Sequence, residues 1–201
     1  MISILVVEDQ SLVRDAIAAL ITMEDNFTVA GKCANGQEAL RWLEDNPAPH
    51  LILTDIEMPE KSGLELAEAL KANKTPCICV FMTTFAKPGY VKRALALGAK
   101  GFILKEADSD YLISALTRVH HGERVIDPEL ALMALDDNNP LSSKEQKALK
   151  LASEGLKTHD IAGKLFLSEG TVRNYLSEAI AKLDATNRVD AARIASQKGW
   201  I

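Results

Sequence analysis

No run of apolar residues in this chain approaches the roughly 20 that a membrane-crossing helix requires. The first apolar run, Met1 to Val7, meets acids at Glu8 and Asp9 too soon for a secretory leader. These absences predict a cytoplasmic protein with no direct membrane insertion. Cysteine is also scarce: the three, Cys33, Cys77 and Cys79, are odd in number and lack C-x-x-C spacing, which excludes a disulfide scaffold and predicts reduced, buried thiols. A metal site built from them with His50, His120, His121 and His159 would need scattered residues to converge without a ligand pattern. Excess positive charge is missing as well. The formal net charge of −5 argues against a general polyanion binder, but residues 1 to 136 hold 13 Lys+Arg against 20 Asp+Glu, while residues 137 to 201 hold 10 against 8. Only the C-terminal part is mildly basic.

Four short apolar runs, Ile2 to Val7, Leu51 to Thr54, Cys77 to Met82 and Phe102 to Leu104, lack polar alternation and read as fully buried strands. A fifth falls at Phe27 to Ala30. Helical stripes lie between and after them: Leu12, Val13, Ala16, Ile17, Leu20 and Ile21, then Gln37 to Glu44, Leu64 to Lys71, Tyr90 to Leu97, and Leu112, Ile113, Leu116 and Val119. Alternation of this kind predicts an α/β parallel sheet of flavodoxin-like (βα)5 form over residues 1–122. Residues 123–140 read as a linker in which Asp127-Pro128 starts a short helix to Leu135, ahead of the helix-breaking Asp136-Asp137-Asn138-Asn139-Pro140. Residues 141–201 show no strand pattern. There Ser142 with Glu145 forms a capping box, and Thr158, Ser168 and Asn187 are expected to cap three further helices.

In an open parallel sheet of this order, loops at the carboxyl ends of strands 1 and 3 converge. Glu8 and Asp9 follow the first strand, Asp55 the third, Thr83 the fourth and Lys105 the fifth. Three crowded carboxylates repel one another unless a cation neutralises them, and an all-oxygen ligand set favours Mg²⁺, with Asp9 and Asp55 the best direct ligands. With the metal bound, Asp55 can act as a carboxylate nucleophile toward phosphorus, the charge of its aspartyl phosphate offset by Mg²⁺ and Lys105. Thr83 is placed to hydrogen-bond a phosphoryl oxygen. Any one of these acids alone would more simply be a solvated loop residue; the joint pattern decides otherwise.

Glu8-Asp9, Asp55-Ile56-Glu57-Met58-Pro59, Thr83 and Gly101-Phe102-Ile103-Leu104-Lys105 closely resemble the receiver domain of two-component response regulators over roughly the first 120 residues. The resemblance implies that Asp55 is the phosphoacceptor for a sensor histidine kinase, that Glu8 and Asp9 help hold Mg²⁺, and that the backbone carbonyl of Glu57 completes the metal site. It implies too that Lys105 contacts the phosphoryl group, that the Thr83 hydroxyl moves toward it, and that Phe102 swings inward. Phe102 lacks the hydroxyl of the commoner tyrosine, and a plain core residue is an equal reading of it. The segment Thr83-Thr84-Phe85-Ala86-Lys87-Pro88-Gly89-Tyr90 resembles a Gram-positive subgroup paired with membrane-embedded kinases, one of which governs fatty-acid desaturation.

Farther along, Val172, Tyr175, Leu176, Ala179, Ile180 and Leu183 share one helical face, leaving Gly170, Arg173, Asn174, Ser177 and Ala181 on the other. That small, hydrogen-bonding outer face suits a major groove, with Arg173 and Asn174 in reach of base edges. Ser168, Thr171, Lys164 and Lys182 are expected near phosphates, although capping and solvation explain the same residues. Leu141-Ser142, Glu145, Ala152 to Leu156, Ile161-Ala162, Leu167-Ser168, Thr171-Val172-Arg173, Leu183 and Asn187-Arg188 resemble the LuxR-type helix-turn-helix, and with the receiver they make the NarL/FixJ architecture. The resemblance implies promoter DNA as partner, homodimerisation on phosphorylation, pairing through residues 188 to 198, and RNA polymerase as a further partner.

Two other functions fit parts of the pattern. A phosphatase with an aspartate nucleophile would use the same position, but haloacid-dehalogenase-type enzymes need D-x-D where this chain has Asp55-Ile56-Glu57. A constitutive DNA-binding protein with a receiver reduced to a dimerisation module would have no need of the intact acidic set.

Overall fold

The chain is described by a computed structural model over residues 1–84, 87–135 and 138–201. Asp136 and Asp137 of the expected linker, and Phe85 and Ala86 of the Thr83 to Tyr90 segment, lie outside the described residues. The chain divides into two compact units, residues 1–86 with 90–135 and residues 136–201 with 87–89, so that the helix Pro88–Leu97 lies mostly in the first.

In the first unit β1 (Ile2–Val7), α1 (Ser11–Thr22), β2 (Phe27–Cys33), α2 (Gly36–Asp45), β3 (Leu51–Asp55), α3 (Gly63–Ala72), β4 (Ile78–Thr83), α4 (Pro88–Leu97), β5 (Gly101–Leu104) and α5 (Ser109–His120) alternate as the apolar runs predict. All strand pairs are parallel, in the order β2-β1-β3-β4-β5. Buried residues cover both faces: Val6, Leu53, Val80 and Ile103 pack with Ile17, Ile21, Leu112 and Leu116 of α1 and α5. Leu5, Ile52, Leu66 and Leu70 fill the side of α2 and α3. Double coverage is why these strands read as unbroken apolar runs.

In residues 123–135 the expected short helix to Leu135 is present, and a strand not expected there precedes it. Val125–Ile126 form β6, parallel to β5 with Gly101 opposite Val125, and Pro128–Leu135 form α6, whose Leu130 is buried beside Phe81, Val91 and Phe102. The segment therefore belongs to the first unit. Pro88 opens α4 two residues earlier than expected, because proline at the first helical position lacks only an N–H that has no intrahelical partner.

The second unit holds α7 (Ser143–Ser153), α8 (Thr158–Leu165), α9 (Glu169–Lys182) and α10 (Arg188–Gln197). Its core of Leu149, Ile161, Val172, Leu176 and Trp200 is completed by Ala148, Ala179, Ala191 and Ala195, small residues that let the helices approach closely. Ser142 and Glu145 form the predicted capping box, and Ser168 and Asn187 cap α9 and α10. Thr158 does not cap: Lys157 is the N-cap of α8, without a side-chain bond, and Thr158 is the first helical residue. The turn between α8 and α9 passes through Phe166 in the left-handed region at φ 55°.

All three cysteines are free, but only Cys33 is fully buried; Cys77 and Cys79 are half-buried, a correction to the expectation. Burial still pushes the thiols of Cys33 and Cys77 up to about 11 and that of Cys79 up to about 12. They remain protonated at neutral pH and act as apolar lining. No helix among the described residues is long and apolar enough to cross a membrane.

Candidate functional sites in the two units

The register of the sheet sets the acidic site. Val7 pairs with Thr54 and Asp55 with Met82, so residues just past β1 and β3 emerge side by side at the carboxyl edge. One carboxylate oxygen from each of Glu8, Asp9 and Asp55 lies within 4.8 Å of the others. Glu8 and Asp55 are 1% and 8% exposed, while Asp9 is open to solvent. Lys105, just past β5, bridges the two buried acids, its Nζ 2.7 Å from Glu8 Oε2 and 2.9 Å from Asp55 Oδ2. The other Asp55 oxygen accepts the Ile56 N–H at 2.6 Å.

Burial holds the carboxyls of Glu8 and Asp55 above their usual range, even though Lys105 works to lower both. For Lys105 burial acts to lower the pKa, but its bonds to Glu8 and Asp55 outweigh burial and raise it. One ammonium therefore faces two buried carboxylates with a third alongside. A set of oxygen donors with surplus negative charge suits a hard divalent cation.

Thr83 is buried at the end of β4, and its carbonyl accepts the Lys105 N–H at 2.9 Å, tying the two loops together. Phe102 is fully buried, stacked on Phe81 with ring centroids 5.7 Å apart. The side chain of Glu57 turns elsewhere: its Oε1 accepts a hydrogen bond from the Tyr90 hydroxyl at 2.8 Å. Four contributors escape the sequence pattern. Arg14 donates to the carbonyl of Glu8 at 2.5 Å, and its place in the first turn after an acid pair is a readable signal. Thr54 donates through Oγ1 to the Asp55 carbonyl at 2.8 Å. Gly63 leaves room for that carbonyl, since a Cβ there would stand 2.0 Å from the oxygen. Tyr90 is the fourth.

In the second unit the two faces of α9 separate as predicted: Val172, Leu176 and Ala179 are buried, and Gly170, Arg173, Asn174, Ser177 and Ala181 are exposed. Among the described residues no hydrogen bond engages the side chains of Arg173, Asn174 or Ser177. The hydroxyls of Ser168 and Thr171 lie 2.9 Å apart, and Ser168 also accepts the Thr171 N–H at 3.1 Å, so both serve the helix cap. Lys182 makes a separate contact. Its Nζ lies 2.8 and 2.9 Å from the two oxygens of Glu145, a buried carboxylate that also accepts the Ser142 N–H at 2.7 Å. Burial works to raise the Glu145 carboxyl, but Lys182 and Ser142 overcome it and hold it below the usual range. Lys182, expected near phosphates, keeps an exposed side chain while its ammonium pairs with an internal acid 37 residues away.

Residues 4–117 match the response regulator receiver domain family, and residues 139–195 match bacterial regulatory proteins of the luxR family. The chain is 44% identical to the uncharacterized transcriptional regulatory protein YvfU of Bacillus subtilis over the full length of both. It is 41% identical to the transcriptional regulatory protein DesR of the same organism, covering 100% of this chain and 99% of the other. Among solved structures it resembles RcsB from Salmonella enterica serovar Typhimurium bound to promoter rprA in the presence of the phosphomimetic BeF3−, with TM-score 0.69 and 21% identity over 97% and 98% of the two chains.

Proposed function

The chain belongs to the response regulators that join a receiver domain to a LuxR-family regulatory domain, and from that premise we propose that Asp55 is the phosphoacceptor through which a sensor histidine kinase controls promoter binding. It is a transcriptional regulator, and its only covalent chemistry is self-phosphorylation and self-dephosphorylation. The observation that carries the reading is the Asp55 carboxylate, buried at the carboxyl edge, 2.9 Å from an ammonium that also holds Glu8.

A carboxylate oxygen of Asp55 attacks the phosphorus of a phosphohistidine, the P–N bond breaks, and its electron pair leaves with the imidazole. Lys105, already on Asp55, offsets negative charge gathering on the phosphoryl oxygens. The Thr83 hydroxyl and the Phe102 ring are the proposed switch, Thr83 being bound through its carbonyl to the residue that reads the phosphate. Asp9, Glu8, Asp55 and the Glu57 backbone carbonyl would hold Mg²⁺, which when bound supplies charge neutralisation for the acids and the phosphoryl group. Phosphorylation then shifts a population toward the form that dimerises and binds promoter DNA. The cellular setting that fits is the cytoplasm, with a membrane-embedded kinase as donor.

We place the functional boundary after α6, with residues 136–140 as the linker and 141–201 as the DNA-binding module, since Leu141 is buried in the second core and Ser142 caps α7. Arg173 and Asn174 lie where a groove-inserted α9 presents its bases-facing side, with Ser177 one turn on. Ser168 and Thr171 are proposed phosphate contacts that act through the helix cap.

The direct test is intact-protein mass after incubation with acetyl phosphate and Mg²⁺. An adduct of about 80 Da is expected on the wild type and absent from Asp55→Asn; uptake by that variant would refute the assignment. Steady release of phosphate from added phosphomonoesters would favour a phosphatase instead. Arg173→Ala is expected to lose about 1–3 kcal/mol of discrimination between cognate and unrelated sites while retaining most bulk DNA affinity. Competition binding at fixed salt measures it, and an undiminished preference would remove Arg173 from the base contacts.

A further inference from the structure

Glu57 is two residues beyond Asp55 and brings a fourth carboxylate to an edge where three already gather within 4.8 Å. A phosphodonor is itself an anion, so each further carboxylate brought close to Asp55 opposes its arrival. The Glu57 side chain stands outside that group. Its Oε1 accepts the Tyr90 hydroxyl at 2.8 Å. Tyr90 sits in the first turn of α4, is 8% exposed, and packs among Phe81, Val91, Phe102 and Leu130. A ring held on that many sides presents its hydroxyl at a fixed point, and the bond to an ionised acceptor is of the stronger kind. The backbone beside Glu57 is held as well, Gly63 N–H donating to the Ile56 carbonyl at 3.0 Å.

We propose that Tyr90 is a positioning residue for phosphoryl uptake: its hydroxyl parks the Glu57 carboxylate against α4 and keeps it from adding to the negative charge around Asp55. The inference rests on Asp55 being the phosphoacceptor. Tyr90 touches neither donor nor acceptor and acts only through Glu57. The same ring belongs to the core cluster that holds Phe102 and Leu130.

Tyr90→Phe removes the hydroxyl and keeps the ring, so the packing stays. Uptake from acetyl phosphate at saturating Mg²⁺, followed by intact mass, is expected to slow by about threefold to tenfold. The deficit should shrink as ionic strength rises, since salt screens a partly exposed charge. In a Glu57→Gln background Tyr90→Phe is expected to have no further effect, because no charge remains to be held away. A second reading needs neither metal nor phosphate: in metal-free buffer, a double-mutant cycle on urea unfolding should show the two substitutions to be non-additive by about fivefold in the unfolding constant, the worth of one hydrogen bond. Tyr90→Phe with wild-type kinetics, a slow rate persisting in the Glu57→Gln background, or additive unfolding overturns the proposal while leaving Asp55 as phosphoacceptor. A wild type that takes up no phosphoryl group overturns both.

Discussion

Gly63→Ala is expected to lower phosphoryl uptake at Asp55 by about a hundredfold and to destabilise the receiver by about 3 kcal/mol. Gly63 is the first residue of α3, and nothing about its position in the helix demands glycine. The demand comes from β3: an added Cβ would lie 2.0 Å from the Asp55 carbonyl oxygen, 3.0 Å from Thr54 Oγ1 and 3.1 Å from the Asp55 carbonyl carbon. Two of these three atoms are backbone and cannot rotate aside. Either the start of α3 must lift, breaking the Gly63 N–H bond to Ile56 and the Ser62–Glu65 capping box, or the end of β3 must move. The second course displaces Asp55 from Lys105, now at 2.9 Å, and a shift near 1 Å is enough to cost two orders of magnitude in a positioned reaction. Urea unfolding and acetyl-phosphate uptake on one preparation measure both effects. A variant with wild-type uptake but reduced stability would mean that α3 yields while Asp55 stays in place.

What could be read in the sequence divides along the range of the interactions. β1, β3, β4 and β5 are legible because a strand covered on both faces must be apolar throughout, and the acids legible beside them follow directly from where those strands end. β6 was not: two residues carry no periodicity, and Val125 becomes strand only by pairing with Gly101. Capping shows the same division. Ser142, Ser168 and Asn187 act within three residues and were readable, whereas Thr158 and Lys157 compete for one role and composition alone favoured the wrong one. Gly63, Tyr90 and the Glu145 partner of Lys182 were hidden because each answers to an atom brought close only by the fold. A lysine one turn past a polar helix face looks the same in sequence whether or not the fold also brings a buried acid to it.

Lys105→Met should show its largest effect in metal-free buffer near pH 8, with a loss of about 3 kcal/mol in unfolding free energy. Among the described residues its ammonium is the one paired with both buried carboxylates, at 2.7 Å from Glu8 and 2.9 Å from Asp55. Burial already raises both carboxyls, and Lys105 is what restrains the rise; a methionine of similar length keeps the packing but leaves two carboxylates facing each other. Their folded pKa values then climb further, so the folded chain binds protons more tightly than the unfolded one. For groups raised in this way, stability is fully present below the ordinary carboxylate pKa near about 4 and declines as pH rises through the folded values. The variant should therefore approach wild type in mildly acidic buffer and fall away toward neutrality. Millimolar Mg²⁺ should return part of the loss, since a divalent ion binding the folded acids adds its binding free energy to folding. Urea titrations at about pH 5 and pH 8, with and without Mg²⁺, decide the matter. A deficit equal at both pH values would mean that Lys105 stabilises the receiver by packing alone, and the electrostatic account of the site would have to be abandoned.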